Sequence, residues 1–548
     1  MSDAKRDTQS VESDVKQVAI ESFTDSVISI EDESPNSYNN PFLNEKMRVK
    51  YSAIYENAKY ECRHRFDPDF KWTKQEEKRL TWKLDFKVTL LACFLFTALQ
   101  MDRSNMAQAV SDNLLKDLGL TTNNYNTGNT IFYVCFLAAE LPSQLISKRL
   151  GADIWIPIQM TCWSLVTICQ FKLQGKNSLY ACRALLGLFE GGFIPDLVLW
   201  LSYFYTSAEL TIRLSYFWTT MYITTIINYL LAYGILHLRG VHGHPGWAWL
   251  FLIEGLITLA IGISAFFLMR PSAVQTKTPW NKKGWFTEEE EKIIVNKVLR
   301  DDPSKGDMHN RQAVSPKMLW EALCDWHLWP MYLIGLVVFI PEKTTSQYMT
   351  LLLKGMGFNT FHTNLLCIPF NVLKLLMLLT VSYFSEYISN IFGVAMIQPI
   401  WTSICVGVLR FWPGSLVNKW GTYALLTVLL GDPYIHAILV SATSRNSSSI
   451  KTRTVAASVY NMFVQAGSIV GSNIYRTPDK PLYHKGNSVL FAFALFGIVL
   501  LGGTKLFYIY LNKKKDELWN AMTDEEKDDY IENSPDTGSS RLDFRFAN

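Results

Sequence analysis

The sequence predicts an all-α membrane protein with twelve transmembrane helices in two six-helix halves. Hydrophobic residues make up 49% of the 548 residues and charged residues only 18%, against about 25% charged in an average soluble chain. The apolar residues occur in runs of roughly 20, the length that crosses a hydrocarbon core of about 30 Å. Long polar segments occur at 1–85, 271–326 and 512–548. This distribution excludes a soluble multidomain enzyme, a fibrous chain and a disordered protein.

The polar residues before the first apolar run divide into two parts. Residues 1–70 are rich in Ser, Asp, Glu and Asn, and we expect them to form a mostly disordered cytoplasmic tail. Thr73 and Glu76 have the spacing of a capping box, which predicts an amphipathic cytoplasmic helix at 71–87. The same spacing predicts further surface helices at two places, Thr287 with Glu290 and Thr523 with Glu526.

Twelve apolar runs follow, six on each side of a long polar loop. The halves cover 88–269 and 328–511, the cytoplasmic middle loop is 270–327, and a cytoplasmic C-terminal tail covers 512–548. This arrangement is typical of transporters built from two repeated halves. The expected spans are 88–106, 127–147, 154–172, 180–204, 213–236, 248–269, 328–352, 363–384, 391–410, 420–442, 453–474 and 488–511.

The distribution of Lys and Arg predicts the orientation in the membrane. Basic residues are concentrated in 71–87, at Lys513–Lys515 and at the start of the middle loop from Arg270. With an even number of spans, all three regions lie on one side, which the positive-inside rule makes cytoplasmic. The short loops agree less well, since loop 8–9 carries no basic residue. No apolar leader precedes the first span, so that span must serve for targeting.

Charged residues inside the first-half spans are candidates for function, because each costs about 2.5–3.5 kcal/mol at the bilayer centre. Arg183 and Glu190 are seven residues apart in span 4, which places both on one helix face. One cavity wall could therefore carry an anion-binding cation and a protonatable acid. Alternatively, each pairs with a charge on a neighbouring helix and only fixes packing. Glu140 in span 2 is a second candidate for the acid.

The second half offers a cation and two amides. Lys343 follows a proline in span 7, where the helical hydrogen-bond ladder is interrupted. Asn461 and Gln465 are four residues apart on one face of span 11. They could hydrogen-bond a substrate, and interhelical packing is an equally good interpretation.

Other charges in the spans favour structural roles. Lys374 could pair with Glu342, and Asp432, in a Gly-Asp-Pro sequence, is expected at a helix break. Glu254 is expected at the membrane interface near the end of span 6. The sequence assigns no role to His436.

Nothing in the sequence indicates an enzyme or a bound cofactor. No glycine-rich phosphate loop opens a helix, so ATP is not the expected driving force. The nine cysteines include no Cys-x-x-Cys pair, and the histidines of 237–244 lack metal-ligand spacing, so no metal is expected. The net charge of +3 is too small to indicate nucleic acid as a partner.

Several motifs resemble those of one family. Arg183-Ala-Leu-Leu-Gly187 with Glu190 and Pro195, followed by Ser202-Tyr-Phe-Tyr205, Glu209 and Arg213, resembles the fungal allantoate permease family, the anion:cation symporter branch of the major facilitator superfamily. The resemblance covers nearly all of 66–548. Its other signatures are FDPDFKWTKQEEKRLTWKLDFK before span 1, Asp102-Arg103-Ser-Asn105, Leu141-Pro142 and Arg541-Leu-Asp-Phe-Arg-Phe546.

The resemblance implies the major facilitator fold and secondary transport of a small anion. Substrates in this family include allantoate, nicotinate, pantothenate, biotin, cysteine and sulfur-containing anions, and the chain is most similar to members that carry sulfonates or sulfate. Animal organic-anion carriers, which the family resembles, have an Arg in helix 1, an Arg-x6-Glu in helix 4 and an Arg in helix 7. Arg103, Arg183 and Glu190 match, but Lys343 occupies the helix 7 position. The loop 2–3 motif survives only as Lys148-Arg149-Leu-Gly151.

We therefore expect a monomeric, proton-coupled importer of a small organic or inorganic anion in the plasma membrane. Arg103 and Lys343 would bind the anion from opposite halves, and Arg183 would contribute to the field in the cavity. Glu190, with Glu140 as the second choice, would carry the proton, the coupling ion. Two alternatives remain: a nutrient sensor that binds without transport, and a facilitator or exporter without proton coupling.

Overall fold

The computed structural model confirms an all-α fold with a helix or a helix pair at every expected span. The structure describes residues 40–57, 60–279, 281–306, 316–388, 390–447, 450–523, 525–527, 530 and 538–547. The first six spans are Leu90–Ser111, Thr122–Leu150, Ala152–Cys169, Lys176–Glu190 with Phe193–Ser202, Ser207–Ile235 and Gly246–Leu268. The second six are Trp329–Val337 with Ile340–Gly355, Thr360–Leu366 with Ile368–Ile388, Ile391–Ala395 with Ile397–Phe411, Lys419–Leu430 with His436–Asn446, Ile450–Gly471 and His484–Asn520.

Spans 7 and 10 are each divided into two short helices. In the described part of the chain, nine helices are long and apolar enough to cross a membrane by themselves. Span 7 is interrupted before Pro341, and span 10 is interrupted over Gly431–Ile435, which contains Asp432 and a proline. A proline supplies no backbone N–H, so both breaks follow from the sequence. Span 11 is a single helix, Ile450–Gly471.

Spans 2 and 4 pack closely because span 4 carries glycines on the contact face. A Cβ added at Gly187 would overlap the carbonyl oxygen of Phe132, and one added at Gly191 would lie 2.7 Å from the carbonyl oxygen of Phe136. Gly192 has φ +88°, a conformation that suits glycine, and ends the first helix of span 4. The close approach positions the last turn of that helix against span 2.

The two halves are joined by neutral hydrogen bonds near the ends of spans 1, 2, 7, 8 and 11. Thr350 Oγ1 donates to the Ala107 carbonyl at 2.9 Å, and Asn473 Nδ2 donates to Thr130 Oγ1 at 2.8 Å. Further bonds at this end join Thr360 and Asn364 to Ser111, Asn126 to Tyr475 and Tyr348, and Asn123 to Thr477. The halves are therefore in direct contact at the end of span 1 that carries Ser111.

The described residues of 40–90, 201–211 and 270–306 form a separate compact unit. The helices Glu45–Asn57 and Glu288–Asp301 contribute Tyr55, Val295 and Leu299 to a small apolar core. The Tyr55 hydroxyl donates to the Pro303 carbonyl at 2.8 Å. Part of the segment expected to be a disordered tail, 1–70, thus has defined structure, and the part before residue 40 lies outside the described residues.

The helix starts in the polar segments are confirmed. Thr73 and Glu76 form a capping box before the helix Lys74–Leu84, and Thr287 and Glu290 form one before Glu288–Asp301. The reciprocal bonds between Thr523 and Glu526 are also present, at 2.8 and 3.3 Å.

Residues 538–547 pack against the second half. Phe546 is buried, and its ring stacks on Tyr508 with 4.9 Å between centroids and 12° between planes. Asn512 exchanges two 2.8 Å hydrogen bonds with the backbone of Phe546. Asn446, at the end of span 10, bonds the backbone N–H and carbonyl of Ala547 at 2.7 and 3.3 Å. This docked segment therefore holds spans 10 and 12 together.

Candidate functional site

Arg103 and Glu190 form an ion pair between spans 1 and 4. Arg103 Nε donates to Glu190 Oε2 at 2.9 Å, and the side chains are 23% and 1% exposed, respectively. Glu190 is the last residue of the first helix in span 4, which the glycine contacts hold against span 2. Among the described residues, Glu190 Oε1 has no hydrogen-bond partner. One carboxylate oxygen therefore remains available for a proton.

Span 2 presents aromatic rings to both arginines. The guanidinium carbon of Arg103 lies 5.1 Å from the ring centroid of Phe136, and that of Arg183 lies 5.6 Å from the ring centroid of Phe132. Such cation–π contacts hold a guanidinium without neutralising its charge. Arg183 is buried, and it interacts electrostatically with Glu190. The sequence analysis missed both phenylalanines, although their four-residue spacing to each other and to Glu140 places all three on one face.

Lys343 faces the same region from the second half. Its Nζ donates to Ser468 Oγ at 3.0 Å and approaches the Val464 carbonyl at 3.5 Å, both in span 11. Lys343 interacts electrostatically with Arg103. Tyr133 connects the halves, since its hydroxyl faces Arg103 of the first half and the Ser468 side chain of the second. The sequence analysis missed Tyr133, although it precedes Glu140 by seven residues and so shares its face.

The remaining predicted residues lie in two other places. Asn461 reaches His436 of span 10 rather than Lys343. Gln465, four residues later in the same helix, is partly exposed. Glu140 is buried and interacts electrostatically with Arg103 and with Asp196 of span 4. The structure thus brings Arg103, Arg183, Glu190 and Lys343 together, places Glu140 beside them, and places Asn461 against span 10.

Three buried charges form a network in the second half. Lys374 of span 8 contacts the carboxylate of Glu342 in span 7, which confirms the predicted pair. Its Nζ also lies 3.2 Å from Asp432 Oδ1. Gln398 Nε2 donates to Asp432 Oδ2 at 2.5 Å. Asp432 lies at the break in span 10, as predicted, and it also belongs to this charge network.

Comparison with known proteins identifies the family. The family model described as Major Facilitator Superfamily matches residues 92–472. The chain belongs to the major facilitator superfamily. It is 43% identical to Uncharacterized transporter YIL166C of Saccharomyces cerevisiae over 94% of this chain and 96% of that protein. It is 27% identical to Major facilitator-type transporter hxnP of Emericella nidulans over 75% of this chain and 81% of that protein.

Solved structures support the same fold. A bacterial homolog of the human lysosomal transporter Spinster, in an inward-facing and occupied conformation, matches with a TM-score of 0.56 and 11% identity. The match covers 76% of this chain and 96% of that one. The chain is therefore a multi-pass integral membrane transporter with the major facilitator fold.

Two further acids of this transporter are buried, and one of them lies where the sequence analysis did not expect it. Glu254 is fully buried rather than interfacial, because span 6 packs on span 3 through Gly255, whose added Cβ would meet Ile168. Both its oxygens lack hydrogen-bond partners among the described residues. Asp102 is also buried and faces Thr167 and Thr258. Neither packing partner is visible in the sequence alone, since the contacts join distant spans.

Proposed function

We propose that this transporter is a proton-coupled importer of a small anion, from the allantoate permease branch of the superfamily. The sulfur-containing anions of that branch, sulfonates or sulfate, are the first candidates, and vitamin or ureido carboxylates are the second. The proposal places the protein in the plasma membrane as a monomer with both termini in the cytoplasm.

One observation carries this proposal: three cations, contributed by both halves, lie around Tyr133. Arg103, Arg183 and Lys343 approach the region from both halves, and Glu190 is the acid bonded to one of them. Buried like charges repel at short range, so an anion bound among the three cations offsets their mutual repulsion. Arg103 supplies a planar guanidinium suited to a carboxylate or sulfonate, and Lys343 a point charge.

The Arg103–Glu190 pair supports coupling to protons. A proton on Glu190 removes the charge that engages Arg103 and leaves the guanidinium available for the anion. An anion and a proton are then bound together and released together. Arg183 adds positive charge near Glu190, and Glu140 is the second acid near Arg103.

Uptake by purified protein in liposomes tests the proposal. A panel of labelled sulfate, small sulfonates, nicotinate, pantothenate, biotin and allantoate is offered with and without an inside-alkaline pH gradient. We expect one or a few anions to accumulate only with the gradient. We expect Arg103→Gln to lose this uptake and Lys116→Gln, an exposed charge change outside the site, to retain it.

The other outcomes contradict the proposal in distinct ways. Equilibration of an anion without accumulation would identify an uncoupled facilitator. Saturable binding without flux would identify a sensor. Equal uptake by the Arg103→Gln variant and the control variant would remove Arg103 from the binding site.

A further inference from the structure

The network of Lys374, Glu342 and Asp432 contains one base and two acids in the interior of the second half. Glu342 is 7% exposed, Lys374 is 4% exposed and Asp432 is fully buried. A buried carboxylate without a compensating charge is unfavourable, so the local sum of charges should be close to zero. Lys374 balances one carboxylate, and the second requires another positive charge or a proton.

The groups that face this network or the adjoining Lys343 come from four spans. They are Tyr222 of span 5, Lys343 of span 7, Gln398 and Cys405 of span 9, and Tyr434 and His436 of span 10. The ring of Tyr434 also lies over Lys374 Nζ, 5.1 Å from its centroid. Among these groups, Lys343 is the side chain that can supply a full positive charge near neutral pH. It interacts electrostatically with Glu342, the residue before it.

Charge balance in this region therefore depends on Lys343. When no anion is present, Lys343 and Lys374 together balance Glu342 and Asp432. An anion bound to Lys343 neutralises the charge of that lysine. Lys374 is then the one remaining base that balances Glu342 and Asp432. A proton on one carboxylate restores the balance.

We propose that Glu342, Lys374 and Asp432 form a second proton-binding site, which takes up a proton when an anion occupies Lys343. This inference rests on the proposed function, which assigns Lys343 as an anion ligand. The proton joins a carboxylate oxygen to give a neutral carboxylic acid, and the same O–H bond breaks when the anion leaves. By linkage, the proton must strengthen anion binding by the factor by which the anion strengthens proton binding.

Both acids lie where helices are interrupted. Glu342 is the third residue of the helix Ile340–Gly355, whose N-terminus favours a carboxylate over a carboxylic acid. Asp432 lies between the two helices of span 10, away from such a helix start. This difference assigns the proton to Asp432 and leaves Glu342 as the charged partner of Lys374. Protonation then changes the contact that holds the break of span 10 to span 8.

Infrared spectroscopy of the purified full-length protein in lipid tests the site without any substrate. The carboxylic acid C=O band is followed between pH 5 and pH 9, and the proton itself is the probe. Lys343→Met removes the charge that an anion would neutralise. We expect one carboxylic acid band in this variant to persist about 1 to 3 pH units higher than in the unsubstituted protein. Lys343→Arg keeps the charge and should leave the titration unchanged.

Two further variants assign the band. Lys343→Met with Asp432→Asn leaves one base and one acid, and the shifted band should disappear. Lys343→Met with Glu254→Gln removes a different buried carboxyl group, and the shifted band should remain. Gel filtration of each variant confirms folding, and Glu342→Gln replaces Asp432→Asn if that variant does not fold.

The proposal is overturned if Lys343→Met shifts no band, or if the shifted band survives removal of either acid. These measurements are independent of transport. A failed uptake panel with the expected spectra would leave the proton site intact, whereas successful uptake with unshifted spectra would remove only this second site.

Discussion

Arg103 Nε lies 2.9 Å from Glu190 Oε2, although the two residues are separated by 87 positions in the sequence. Glu190 thus pairs with the arginine of span 1 and not with Arg183, which shares its own helix face. Asp102, the immediate neighbour of Arg103, faces spans 3 and 6 instead. In the proposed function, Glu190 is therefore the carboxylate that competes with an anion for Arg103, and a proton on Glu190 ends this competition.

Glu190→Gln should abolish accumulation driven by a pH gradient and leave exchange of anion between pre-loaded vesicles measurable. The substitution keeps the shape of the side chain and removes the group that carries the proton. Counterflow and gradient-driven uptake are measured on the same vesicle preparation. Proton-driven uptake at the normal level in this variant would exclude Glu190 as a coupling residue.

Arg103→Gln should weaken anion affinity by roughly 10- to 150-fold, because a charge-assisted hydrogen bond contributes about 1.5–3 kcal/mol. Arg103→Lys should also weaken it, because a planar fork becomes a point charge, whereas Lys343→Arg should retain affinity. The informative control is Arg103→Gln with Glu190→Gln, which removes the ion pair as a unit. Normal affinity in that double variant would show that Arg103 only neutralises Glu190.

Residues 270–327 and both ends of the chain should lie on the cytoplasmic side. The basic flanks predict this orientation, and twelve spans keep the three regions on one side. Glycosylation reporters placed after Asn548 and within 307–315 should remain unmodified, while one placed in 239–244, between spans 5 and 6, should be modified. Modification of either of the first two would reverse the orientation.

Phe546→Ala should release residues 538–547 from the second half. Removing a buried phenylalanine ring costs about 3–5 kcal/mol of stability. A short segment with few other apolar contacts cannot remain docked after a loss of this size. A spin label at the exposed Ser540 should become mobile, in a background without the exposed Cys169 and Cys324. Asp543→Asn, an exposed change in the same segment, should leave the label immobile.

The same label should report a pH dependence that originates at Asp325. Burial raises the pKa of this carboxyl group, but hydrogen bonds from His327 and from Ser539 Oγ, the latter at 2.7 Å, outweigh it and hold the pKa below the ordinary value of 3.8. The stabilisation is therefore present above pH 4 and is lost as the pH falls through the lower folded-state value. Asp325→Asn should remove this dependence, and an unchanged pH profile in that variant would contradict the assignment.

The helices and their breaks could be predicted from the sequence, but few of the contacts between the helices could. Apolar runs are a local signal, and the Pro341 and Asp432 sequences mark interruptions because proline has no N–H to donate. Arg183 and Glu190 were correctly placed on one face by helical periodicity. The partner of Glu190 could not be found this way, because nothing local relates span 1 to span 4.

One expectation failed, and one contact was not predicted, for the same physical reason. Glu254 was placed at the interface from its position along span 6, whereas its burial is decided by the glycine contacts with span 3. The docking of 538–547 depends on Phe546 meeting Tyr508 and on backbone bonds to Asn446 and Asn512. A ten-residue polar segment has no periodicity that predicts such contacts.

The neutral hydrogen bonds that join the halves near Ser111 have a consequence for the response to salt. Hydroxyl, amide and carbonyl groups such as those of Thr350, Ala107 and Asn473 do not titrate at physiological pH, and Debye screening acts only on charges. Each such bond contributes about 1 kcal/mol net. These bonds should therefore contribute equally to the contact between the halves at low and at high ionic strength.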